Sequence, residues 1–182
     1  MDLYLTEPVG PFATAARVTN TFTTRQDVSP QPLPVVPAGK FRRGSRLHMR
    51  AGGDYSSLTG AALTLGFWFG NRAGAITAVI AESSVITLGT TPAAWPWWME
   101  WDGFLNSEPG TTATLLGQGQ VQLGSSLIAF NAETPIPITA ALRTTGAFDT
   151  TIERAIGVCA TWGASSASNQ ITVNNHRVLI LN

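Results

Sequence analysis

The chain has 182 residues, enough to bury one good core, and its length favours a single domain. Only 12% of the residues are charged, and eleven basic residues balance eleven acidic ones. That balance argues against a general nucleic-acid or membrane-surface binder. The one cysteine, Cys159, leaves no intrachain disulfide, and no run approaches the ~18 apolar residues of a transmembrane helix.

The start, "MDLYLTEPVG", lacks the basic and apolar regions of a signal peptide, so synthesis in a cytoplasm is expected. Residues 1–37 carry Pro8, Pro11, Pro30, Pro32, Pro34 and Pro37. Proline fixes φ and removes a donor, so "SPQPLPVVPAG" is neither a helix nor a central strand. These residues read as an extended, proline-rich N-terminal arm, with one strand in "ARVTNTFTT", preceding a body over 38–182. A disordered leader is the alternative.

From Phe41 onward apolar residues recur with period two. Leu47, Met49 and Ala51 share one face, and Arg46, His48 and Arg50 the other. Leu63, Leu65, Phe67 and Phe69 share a face; "AITAVIAE" and "SSVITLG" read as two further strands. In "PWWMEWDGFL", Trp97, Met99 and Trp101 alternate with Trp98, Glu100, Asp102 and Phe104. Leu115, Val121 and Leu123 oppose Gln118, Gln120 and Gln122, and Ile156, Val158, Ala160 and Trp162 form another face. Gly163 to Asn169 connects this last strand to a final one over 170–181, whose apolar tail, Val178 to Leu181, must be buried or paired. Its apolar phase slips after Asn174-Asn175, which predicts a β-bulge. Short strands separated by Gly, Pro, Ser and Asn clusters predict an all-β fold, a single antiparallel, jelly-roll-like β-sandwich.

Candidate chemistry is sparse. His48 and His176 lie on strands near arginines, as surface or interface polar residues more readily than as metal ligands, since a third ligand is missing. Ser165, Ser166 and Ser168 have no local base and suit a turn. Cys159 alternates within an apolar strand and reads as a buried thiol. Glu100 and Asp102 share a strand face beside tryptophans, as glycosidase carboxylates do, but catalytic pairs normally face each other across a cleft. Trp95, Trp97, Trp98 and Trp101 suit either a core or subunit interface, or a glycan platform. The run "KFRRGSRLHMR" holds Lys40, Arg42, Arg43, Arg46 and Arg50 without an acid. It is either a solvated strand face or a surface that docks on an acidic neighbouring subunit. The low charge fits a protein that covers its surface with copies of itself or other proteins, or simply a Thr/Ser-rich β protein.

The stretch "ATWGASSASNQITVNNHRVLILN" resembles the C-terminal end of small structural proteins of tailed bacteriophages, through Trp162, Ser165, Ser168, Asn169, Ile171 and Thr172. "GSRLHMRAGGDYSSLTGAALTLGFWFG" resembles the central part of the same proteins, as does the "PWxxE" stretch between them. The motifs are loose; their order along the chain carries the likeness. It implies a virion component: a head decoration, head-fibre or minor tail protein, often a trimeric jelly roll. The proline-rich stretch and the tryptophan cluster depart from the pattern. The expectation is therefore a non-enzymatic capsid decoration protein without a cofactor. It would be located in the virion, with a homotrimer and the major capsid protein or other virion proteins as partners, and neither nucleic acid nor membrane among them. Candidate interface residues are Arg42, Arg43, Arg46, Arg50, Val178 and Ile180. The alternative is a tail or head-fibre protein that binds a host receptor or glycan through the tryptophans.

Overall fold

The computed structural model describes residues 3–6, 17–19, 22–88, 91–126, 129–136 and 143–182. For 3–6, 17–19, 125–126, 129–133 and 143–144 the description is of the backbone alone. The strands are β1 (Leu3–Thr6), β2 (Arg17–Thr19), β3 (Gln26–Asp27), β4 (Val35–Val36), β5 (Arg46–Ser56), β6 (Ala62–Gly70) and β7 (Ile76–Glu82). They continue with β8 (Ile86–Thr87), β9 (Trp95–Leu105), β10 (Leu115–Ser126), β11 (Ala129–Ile136), β12 (Arg143–Thr144), β13 (Arg154–Trp162) and β14 (Gln170–Leu181).

Two antiparallel sheets pack face to face. The larger runs β1-β14-β5-β9-β10-β11, with β2 on β14 and β12 on β10; the smaller runs β3-β13-β6-β7, with β4 on β13 and β8 on β6. Take β1, β3, β5, β6, β7, β9, β13 and β14 as eight strands in chain order. The first, eighth, third and sixth then form one sheet, and the second, seventh, fourth and fifth the other. This is the strand order of a jelly roll, two Greek keys folded on each other. The β10–β11 hairpin, which periodicity did not separate into two strands, extends the larger sheet beyond β9.

The alternations predicted from sequence form the interior. Leu47, Met49, Ala51, Leu63, Leu65, Phe67, Phe69, Trp97, Met99, Trp101, Ile156, Val158, Ala160 and Trp162 are all fully buried between the sheets. The final strand answers for its apolar end. Its backbone pairs with β5 on one side and with β1 on the other, Leu3 opposite Leu181 and Thr6 opposite Val178. Val178 and Ile180 point into the core.

The N-terminal stretch requires a correction. Pro8 and Pro11 lie outside the described residues. Residues 22–37, expected to belong to a separate arm, are built into the sandwich. β3 pairs with Cys159 and Ala160, β4 pairs with Arg154 and Ala155, and Phe22, Val28, Leu33 and Val36 are buried. Phe22, Val28 and Val36 join the main core. Leu33 and Val35 pack on a second apolar cluster with Trp68, Ala155, Cys159 and Ile76. The body therefore does not begin at Ala38. The physical reason is that β6 and β13 are apolar on both faces. Trp68 and Cys159 alternate with the core residues and so point away from the core. A proline-rich segment is extended and poor in donors, which suits it to lie across such a face. An added Cβ at Gly157 or Gly70 would overlap the Trp68 indole, so the glycines on this face leave the space the ring fills.

Candidate functional site

The outer face of the larger sheet gathers Arg46 and Arg50 of the candidate basic run with Glu100 and Asp102 of β9 and Arg177 of β14. Arg42, Arg43, Arg46 and Arg50 are exposed. Arg43 donates to Glu108 at 3.0 Å between side chains that are 72% and 73% accessible, so this pair adds little. Arg46 reaches Asp102 at 3.1 Å, and His48 Nδ1 stands 3.8 Å from the same carboxylate. The run that holds no acid in sequence thus acquires Asp102 from β9 and Glu108 from the loop that follows it.

Val178 and Ile180 are not interface residues within this fold; being inward on β14, they are covered by the opposite sheet. His176, read as a surface or interface residue, is also a core residue. It stacks on Phe67 with ring centroids 6.3 Å apart, and neither ring nitrogen has a hydrogen-bond partner. Burial pushes its pKa down to about 4. Cys159 is buried as expected, and burial raises its thiol pKa. Among the described residues no group of three His, Cys, Asp or Glu side chains could hold a metal ion.

The four tryptophans of β9 divide by the pleat. Trp97 and Trp101 are core; Trp97 Nε1 donates to the Thr172 carbonyl at 3.1 Å. Trp95 is partly buried against the core. Trp98 points outward, is half-buried, and donates from Nε1 to Gln122 Oε1 at 3.1 Å, which fixes the ring on the sheet. Glu100 and Asp102 also point outward but are engaged separately, Glu100 accepting from Gln120 Nε2 at 3.2 Å and Asp102 from Arg46.

The predicted bulge is present. The β5–β14 register shifts between Val173 and Asn175, and β5 meets the shift with Gly52 and Gly53. A Cβ at Gly53 would overlap the Thr172 carbonyl, so a larger residue there would not admit the bulge. The bulge exposes both Asn174 and Asn175 and returns His176 to the interior. Beside it lies an open groove of about 510 Å³, lined by Arg50, Gly52, Gly53, Trp97, Trp98, Asn174, Asn175 and Arg177. The Arg50 guanidinium lies over the Trp98 ring, 5.4 Å from its centroid. Arg50 and Arg177 are directly opposite each other across β5 and β14. Asn174 Nδ2 donates to Asp54 at 3.1 Å. The sequence pattern marks Arg50, Trp98 and the bulge, but not Arg177 or the asparagines as site residues. The phase slip at Asn174-Asn175 was the signal that marked the place.

No protein-family model matches the chain, and neither curated proteins nor solved structures give a match.

Proposed function

We propose that the chain is a structural protein of a tailed-bacteriophage virion, a capsid decoration protein that assembles as a homotrimer and binds neighbouring coat subunits. One observation supports this reading above the others. The stretches that resemble such proteins, 44–70 and 155–182, lie far apart in sequence yet form the centre of the sandwich. The first makes β5 and β6 and the second β13 and β14; β14 pairs with β5 and β13 with β6. The "PWxxE" stretch is on β9, next to β5. An order of loose motifs that folds into one continuous unit is what a shared architecture would retain. The work of such a protein is mechanical: binding to the closed shell lowers its free energy, as any ligand of a native state does. Exposed Arg42, Arg43 and Arg50 supply polar contacts for a coat surface.

The alternative, a tail or head-fibre protein, is favoured by the outward indole of Trp98. Antibody-labelled imaging of particles from the source strain separates the two. Label spread over the head lattice is the expected result, label at the tail or at isolated head sites selects the fibre reading, and particles free of the protein reject both. Light scattering of the purified chain tests the trimer.

A further inference from the structure

We propose that the groove beside the β14 bulge is a binding site for an acidic saccharide, one bearing a carboxylate such as a uronate or a sialate. The site stands on its own geometry and does not require the virion reading.

Charge decides the class first. Among the described residues that line the groove, two are arginines and none is an acid, on a chain of zero net charge. Arg50 and Arg177 lie directly opposite each other on neighbouring strands, so two guanidinium groups line the groove side by side. Guanidinium forks match the planar geometry of a carboxylate. Stacking on Trp98 orients the fork of Arg50.

The remaining lining selects a sugar. Trp98 is anchored through Gln122 and presents the rest of its indole to the groove, a surface on which the C–H face of a pyranose can rest. Asn174 and Asn175 are exposed by the bulge, and each amide offers both donors and an acceptor, as hydroxyl recognition needs. Gly52 and Gly53 put no side chain between these groups. The volume, about 510 Å³, falls in the ~300–1,000 Å³ range of small-ligand sites, and the groove is open enough for a chain to lie across it.

A nucleic acid fits less well. It needs a stripe of positive charge along its phosphates, whereas Glu100 flanks Arg50 on β9 and Asp54 holds Asn174 at the other side. A saccharide with a carboxylate on only some of its rings meets the arginines and leaves those acids to Gln120 and Asn174.

The test uses the full chain and four probes: sialyllactose, a hyaluronan tetrasaccharide, the same tetrasaccharide with its carboxylates reduced to alcohols, and inorganic phosphate. Binding is read by tryptophan fluorescence and by calorimetry. At least one acidic saccharide is expected to bind at millimolar or better affinity. Carboxylate reduction, Arg177→Gln and Trp98→Ala should each weaken binding tenfold or more. Thermal melts show whether the variants remain folded; if Trp98→Ala does not, Arg177→Gln alone carries the test. The proposal is overturned if neither acidic saccharide binds, if the reduced saccharide binds equally well, or if Arg177→Gln leaves affinity unchanged. It is equally overturned if phosphate at the same concentration displaces the sugar, because the groove is then a simple anion site.

Discussion

Asp27 accepts the indole N–H of Trp68 at 3.2 Å, and this bond ties the N-terminal stretch to the outer face of the smaller sheet. The same carboxylate oxygen accepts the backbone N–H of Ser29 at 3.0 Å and its hydroxyl at 2.5 Å. Ser29 in turn receives the Val158 N–H at 2.6 Å. The segment is therefore held by polar bonds as well as by Leu33 and Val36.

Deleting residues 1–37 should abolish cooperative folding, because it strips β3 and β4 from β13 and uncovers Trp68 and Cys159. Far-ultraviolet circular dichroism and urea unfolding check this. A truncated chain that unfolds with the full-length midpoint would contradict the integration of residues 22–37.

Asp27 itself should show a characteristic pH dependence. Burial, the largest influence, raises its pKa above the usual carboxylate range, against the hydrogen bonds from Ser29 and Trp68. A raised folded-state value means that its contribution to stability is full below about pH 4, the unfolded pKa, and is lost as pH rises through the folded value. Asp27→Asn keeps an acceptor without the charge, so its stability relative to the wild type should increase from pH 4 to pH 7. Asp27→Ala leaves donors unpaired and should cost about 1–3 kcal/mol. Urea titrations at both pH values separate the outcomes.

His176 gives the opposite slope. Its folded pKa is depressed to about 4 by burial, below an unfolded value of about 6.5. The unfolded chain binds the extra proton in this window, so stability is complete above about pH 6.5 and falls as pH drops towards 4. The loss across the window is about 3 kcal/mol, and His176→Leu should remove it. Equal pH profiles for the two proteins between pH 4 and 7 would show that another group controls acid stability.

The tryptophans of β9 should separate by face. Trp97→Ala or Trp101→Ala should each cost about 3–5 kcal/mol, whereas Trp98→Ala should cost far less. Gly117→Ala should also be destabilising, by about 1–3 kcal/mol or more, since its new Cβ would overlap the Trp101 ring. Thermal melts of the four variants check the order. A Trp98 variant as unstable as the Trp101 variant would place its indole in the core.

Period-two alternation was enough to determine the sandwich, because a strand buried on one face shows which residues are inside. It located β5, β6, β9, β13 and β14 and put Trp97 and Trp101 on one face with Trp98 on the other. The bulge at Asn174 was legible for the same reason: an extra residue must break the alternation to keep Val178 and Ile180 inside. The place of residues 22–37 was not legible. β3 and β4 are two residues long, too short to alternate, and their burial depends on Trp68 and Cys159 pointing outward from strands whose other face fills the core. Nor could the sequence bring Arg50 to Arg177. Periodicity fixes the face on which a side chain lies, whereas the cross-strand register that makes two distant residues neighbours is set by pairing and turns, and only the folded sheet decides it.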